Sequence, residues 1–270
     1  MARIHVSFLS AVALTTGLSL LTACSGGGST DDSAHTGSHG KKHGGPVVVA
    51  TTTWEAAFAH AAGAQDVKVI VPSTVQHAPD YEPKPSDLAA VAGADYVLYA
   101  SFEPFAGKIK QAAGSKAELV EVDLDNTADK ATAQVAALGR KFGTQQTAAA
   151  WTKTFRAEYG KLSAEVKKAW PGGRRPSVVA QTFSTWAAQL AGADLLGTYG
   201  PDPVTPGQVS KLSAKKPSLV LDNVHMSTGT VLPDSGAKQV EIVNYPGKDL
   251  DLLKVYREAA VAIERSLSTS

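Results

Sequence analysis

The sequence predicts an α/β protein made of two (β/α) lobes with parallel sheets, joined by a long linking helix, with a ligand cleft between the lobes. Three observations carry this. Short apolar runs alternate with amphipathic stretches, and the alternation occurs twice, over residues 46–126 and again over 173–270. Between them, residues 127–172 keep a helical pattern with no proline before Pro171, a length that suits a structural spine. The composition, 43% hydrophobic and 19% charged, is enough to fill real cores in both halves.

Residues 1–23 read as an export signal. Arg3 supplies its positive start, Val6 to Leu21 its mostly apolar stretch, and Leu21-Thr22-Ala23 small residues just ahead of Cys24. The apolar run is broken by Thr, Gly and Ser and falls short of the ~20 apolar residues that span a bilayer. Leu-Thr-Ala-Cys resembles a bacterial lipobox, which implies that Cys24 becomes the lipidated first residue of a mature lipoprotein. Palmitate or a related chain would then hold it to the outer face of the cytoplasmic membrane. Cys24 is the sole cysteine, so an intrachain disulfide framework and a Cys-based metal cluster are excluded.

Residues 24–45 form a Gly/Ser-rich tether that cannot bury enough apolar surface to offset the entropy of ordering it. His35, His39 and His43 recur at every fourth position there, and short His-rich tracts capture divalent metals. From Val47 the first lobe reads as strands at 47–50, 67–71, 96–100 and 118–122, with helices at 54–62, 87–92 and 105–113. Ser86 is the expected N-cap of the second helix and Gly114 the stop of the third. Thr127 opens a linking helix to Phe142, and Thr144 opens another to Trp170, where Pro171-Gly172-Gly173 ends it. The second lobe repeats the pattern with strands at 178–180, 194–198, 219–222 and 239–243 and helices at 185–191 and 206–214, before a final helix over 250–267.

In open parallel sheets ligands sit beyond the carboxyl ends of the strands, so chemistry-bearing residues there are the candidates. His77 follows the second strand in VPSTVQHAPDYEPKPSD, a loop stiffened by Pro72, Pro79, Pro83 and Pro85. Glu103 lies beyond the third strand in YASFEPF, as a ligand or as a helix N-terminal charge. Gln181 follows VVA, His225 follows LVLDNV, Asp222 closes that same strand, and Asn244 follows VEIV. His60 lies within a helical segment and reads as a surface or packed residue. Imidazole nitrogens with carboxylate or amide oxygens make a mixed shell that suits zinc first and manganese as the oxygen share rises. The metal candidates are therefore His77, Glu103, Gln181 and His225, with Asp222 and Asn244 as further donors. Ligation needs neutral imidazoles, so acidification should release the ion.

The run from His77 through DYEPKPSDLAAVAGADYVLY to the Glu-Pro-Phe resembles the zinc/manganese solute-binding lipoproteins of ABC importers. The likeness extends from about Val47 to the C-terminus. It implies a monomeric extracytoplasmic receptor that hands a divalent ion, as transported cargo and without an organic cofactor, to membrane permease and ATPase subunits. His77 takes the first ligand position of that family. The second has no histidine here, where the chain reads VEVDLDN; the third aligns with Gln181 and the last with Asn244. The alternative is a surface lipoprotein or adhesin on the same scaffold that binds a metal chelate or a small organic ligand.

Other classes are disfavoured. The 26 Lys and Arg against 25 Asp and Glu leave a net charge of +1 with no basic window, which argues against nucleic acid as a partner. A hydrolase or nucleotide enzyme would show a G-x-S-x-G, H-E-x-x-H or G-x-x-x-x-G-K-[ST] motif, and none occurs, so no catalytic residues are expected.

Overall fold

A computed structural model describes residues 45–75 and 77–268. The export signal, Cys24 and the tether histidines His35, His39 and His43 lie outside the described residues. The first lobe runs β1 (Val47–Ala50), α1 (Thr53–Ala61), β2 (Asp66–Val69), α2 (Pro85–Ala92), β3 (Tyr96–Tyr99), α3 (Ala106–Ala113) and β4 (Glu118–Glu121). Two linking helices follow, α4 (Ala128–Phe142) and α5 (Gln145–Lys168). The second lobe comprises β5 (Ser177–Gln181), α6 (Thr185–Leu190), β6 (Asp194–Tyr199), α7 (Pro206–Ser213), β7 (Leu219–Asn223) and β8 (Lys238–Ile242), and α8 (Leu252–Ser268) closes the chain. Every element expected from the sequence is present, with ends displaced by two residues at most.

Each lobe holds one four-stranded parallel sheet, in the orders β2-β1-β3-β4 and β6-β5-β7-β8. Both orders turn at the same place: the chain adds a strand on one side of β1 or β5, then crosses to the other side for β3 or β7. The central strands are near-continuous apolar runs, as strands covered on both faces must be; all five residues of LVLDN in β7 are buried. Edge strands are different. DVKV in β2 leaves Asp66 and Lys68 exposed, which blunts an open edge. Registers are regular in the first sheet, with Val48 opposite both Val67 and Tyr96.

The N-terminus of α2 differs from expectation. The helix begins at Pro85 with Lys84 as N-cap, so Ser86 lies inside it. Proline at the first position has no N–H to leave unsatisfied, and Asp87 reaches back to accept the Lys84 N–H at 2.9 Å, which makes a serine cap unnecessary. Gly114 ends α3 with a positive φ of 58°, as expected. Gly143 ends α4 in the left-handed region at φ 72°.

Helix α5 is 24 residues long, about 36 Å at 1.5 Å per residue. Its buried positions, Ala148, Phe155 and Val166, fall on one stripe of a 3.6-residue helix. That stripe meets α4, where a Cβ on Gly139 would sit 2.5 Å from the Ala148 Cβ, so glycine permits the close crossing. It also meets α8, with the Phe155 ring 5.0 Å from Tyr256 in an edge-on contact.

A single core runs beneath both sheets. Val48 and Leu98 from the first lobe join Ala180 and Leu221 from the second, around Phe58, Phe155, Trp186 and Tyr256. Tyr256 is wholly buried, and its hydroxyl donates to the Asn126 carbonyl at 2.8 Å, tying α8 to the end of the first lobe. Smaller cores lie on the outer faces, Val49, Val97 and Ile109 under α2 and α3, and Val179, Val220 and Leu212 under α7. The lobes are thus fused through their inner faces, and what remains open between them is the rim where the strands end. No helix among the described residues is long and apolar enough to cross a membrane.

Candidate functional site

A cavity of about 390 Å³ opens between the lobes at the carboxyl ends of the strands. His77 and His225 both line it. They arrive from opposite lobes, His77 from the loop after β2 and His225 from the turn after β7.

The His77 loop is stiff for visible reasons. Pro79 lies in a one-turn 3-10 helix over Ala78–Asp80, and beyond it the Tyr81 hydroxyl donates to Asp87 at 2.7 Å. Glu82 pairs with Lys108 of α3. The imidazole is about one-third exposed, and its Nδ1 lies 3.0 Å from the Asp80 carboxylate. A carboxylate on one ring nitrogen fixes the tautomer and directs the other nitrogen outward, the arrangement that supports histidine as a metal ligand. His225 is held otherwise. Its Nε2 accepts the Tyr245 N–H at a long 3.4 Å, its ring meets the edge of Tyr245 at 4.7 Å, and Asn223 Oδ1 accepts its backbone N–H at 3.0 Å. At 3.4 Å the Tyr245 contact to Nε2 is at the long end of hydrogen-bond distances.

The rest of the wall is mostly apolar, with Asn223 and Asp202 its polar members among the described residues. Trp54 and Tyr245 meet edge-on at 5.6 Å across the lobes, deep in the cleft. Phe102 and Phe183 stack at 5.5 Å with their planes 30° apart, again one from each lobe. Pro79, Pro104, Pro201 and Pro203 fill between the rings, with Met226 beside His225. Asp202 is the sole Asp, Glu, Lys or Arg among the described residues lining the cavity.

Four sequence candidates are occupied elsewhere and do not line the cavity. Gln181 is buried; its Oε1 accepts the Phe183 N–H at 2.7 Å and caps the turn that carries that ring. Asp222 is buried on the outer face of its sheet, where it accepts from the Tyr199 hydroxyl at 2.5 Å and from Gln239 at 3.3 Å. Asn244 is buried and accepts the Trp186 indole N–H at 2.9 Å. Glu103 folds back to accept the Ala100 N–H at 3.1 Å. Among the described residues, no group of three or more His, Cys, Asp or Glu is placed to hold a metal ion. The structure therefore brings together two of the six donors, His77 and His225.

Beneath the cleft floor lies a pair of carboxyls that the sequence reading did not assemble. Glu55, in the first turn of α1, and Glu103, beyond β3, are both buried at the switch point between β1 and β3. Each keeps one oxygen without a hydrogen-bond partner, as does the buried Thr51 hydroxyl beside them. Burial raises the pKa of Glu55, and burial first and the Glu55 charge second push Glu103 up to about 8. Burial, followed by both glutamates, also raises the pKa of Tyr245 in the cleft wall above its ordinary value. A signal for Glu55 does exist in the sequence: Thr52-Thr53-Trp54-Glu55 is a capping box, with Thr52 accepting from Trp54 N–H and Glu55 accepting from Thr52 N–H. The aromatic wall also left a trace, since Phe102 and Phe183 each follow a central strand at its carboxyl end.

Residues 47–148 match the model of a family described as zinc-uptake complex component A, periplasmic. No curated protein matches the chain. Among solved structures, the fold is similar to the laminin-binding protein Lbp of Streptococcus pyogenes, with a TM-score of 0.64 and 18% identity over 83% of this chain and 99% of that one. It is similar to the solute-binding protein FpvC of Pseudomonas aeruginosa in complex with Mn2+, with a TM-score of 0.64 and 16% identity over 83% and 98% of the two chains. A zinc-bound variant of AdcAII from Streptococcus pneumoniae gives 0.60 and 19% over 83% and 99%. Residues 47–148 are thus similar in sequence to that zinc-uptake family, and the chain shares the two-lobed fold of these solved solute-binding and laminin-binding proteins.

Proposed function

We propose that this chain is the extracytoplasmic receptor of an ABC importer and captures a divalent transition metal between its lobes, zinc by preference and manganese next. The observation that carries this is the pair of imidazoles, His77 and His225, which come from opposite lobes to one cavity. Asp80 lies 3.0 Å from His77 Nδ1 and so holds that imidazole in place, and the Tyr245 edge packs against the His225 ring at 4.7 Å. Nitrogen donors favour zinc over magnesium or calcium. Similar structures carry zinc or manganese, which supports the same cargo class here. Cys24 is the proposed lipid anchor, permease and ATPase subunits are the proposed partners, and the receptor acts as a monomer. The tether histidines His35, His39 and His43 would raise the local metal concentration or pass ions inward.

The test is calorimetric titration of zinc and of manganese into the mature protein and into His77→Ala and His225→Ala. The wild type should take up zinc with one-to-one stoichiometry, and each substitution should weaken it by roughly tenfold or more. Uptake unchanged in both variants overturns the proposal.

A further inference from the structure

Two imidazoles are a thin shell for an ion that takes four ligands. The other donors expected from the sequence are engaged: Gln181 with the Phe183 N–H, Asn244 with Trp186, Asp222 with Tyr199, and Glu103 with the Ala100 N–H, and among the described residues no group of three His, Cys, Asp or Glu is placed to hold an ion. The cavity, meanwhile, is built for something larger than an ion. Its 390 Å³ exceeds by an order of magnitude the ~30 Å³ that one water occupies in the liquid, and lies in the ~300–1,000 Å³ range of small-molecule sites. Its wall is aromatic and proline-rich, which suits the body of an organic molecule and gives a hydrated cation few oxygen partners. Among the described residues of that wall, Asp202 is the one Asp, Glu, Lys or Arg, and its carboxylate complements a cargo of net positive charge.

We propose that the cargo enters as a preformed complex of a divalent transition metal with a small aromatic chelator. His77 and His225 would take two coordination positions, the chelator's own nitrogen or oxygen donors the others, and Trp54, Phe102, Phe183 and Tyr245 would bury its apolar body. A neutral chelator fits best, because it leaves the metal's positive charge to face Asp202. The inference rests on the reading of the cleft as a metal receptor and adds the chemical form of the cargo. It also explains why the cleft wall is aromatic where a bare-ion site would crowd donors.

The experiment titrates three probes into the mature protein: zinc alone, 1,10-phenanthroline alone, and their one-to-one complex. The complex should bind at least about tenfold more tightly than zinc alone, with phenanthroline alone weaker than either. His77→Ala and His225→Ala should weaken the complex. Phe102→Ala and Phe183→Ala should weaken the complex by a larger factor than they weaken zinc, with thermal unfolding followed by circular dichroism to verify that the variants fold. His60→Ala, on an exposed histidine of α1 away from the cleft, should bind the complex as the wild type does. Zinc alone binding as tightly as the complex, with the phenylalanine variants affecting both equally, overturns the chelate proposal and leaves the metal receptor standing. Failure of zinc and complex alike, or binding that survives both histidine substitutions, overturns both.

Discussion

Glu103 sits within reach of the cleft yet faces the protein interior, sharing a buried pocket with Glu55. Two carboxyls in one dry site cannot both ionise cheaply. Because the folded pKa of Glu103 is raised to about 8 from an ordinary 4.5, the folded protein binds more protons than the unfolded chain between those values. The associated stability is complete below about pH 4.5 and is lost as the pH rises towards 8. Melting temperature should therefore fall between pH 5 and pH 9 by more in the wild type than in Glu103→Gln, whose amide stands in for the protonated acid. Parallel melting curves would remove the buried pair as the cause.

The same residues explain what could be read from the sequence at this scale. His77 was legible because four prolines around it announce a rigid loop, and His225 because it follows an apolar strand. Position at a strand end, however, does not say which way a side chain points. Asp222 shares the parity of Val220, whose side chain belongs to the outer core, so it turns to Tyr199 and away from the cleft. Asn244 follows the parity of Val240 and Ile242, which pack inward, and so it finds Trp186. Strand partners decide these directions, and no single segment contains them.

At the scale of elements, α4 and α5 cross closely at Gly139 and Ala148. Gly139→Val would drive branched carbons into Ala148, and overpacking of this kind costs about 1–3 kcal/mol, offset only by roughly 0.3–0.5 kcal/mol of helix propensity over glycine. Gly160, in the same α5, has open space where a Cβ would stand, so Gly160→Ala should gain up to about 1 kcal/mol. Urea denaturation of the two variants should move the midpoint in opposite directions. A Gly139→Val protein as stable as the wild type would mean the helices do not cross this closely. These helices were legible from uninterrupted periodicity, and Thr127 and Thr144 do stand at their N-cap positions, although neither side chain makes a capping hydrogen bond and the Thr144 hydroxyl donates to the Ala62 carbonyl. The start of α2 was not, because Pro85 and Asp87 together replace the cap expected of Ser86.

For the whole molecule, the decisive feature is that both lobes bury their inner faces in one core. Trp54 belongs to the first lobe and Trp186 to the second, and both line that core. Tryptophan fluorescence and far-ultraviolet circular dichroism should report one coincident urea transition. Two separate transitions would show that the lobes fold on their own. The repeated alternation made the two sheets legible in the sequence. Their fusion was not, since it depends on Tyr256 of the last helix meeting Phe155 and Asn126, residues about a hundred positions away or more in the chain.

Joined in this way, the halves have little freedom to gape, so under the proposed receptor role the filled and vacant forms would present nearly the same silhouette to a membrane partner. The proposed transporter partner would then have no wide jaw movement to sense. It would have to read occupancy locally, at the lip where the rings of Phe102 and Phe183 touch, and half of Phe102 already faces the solvent there.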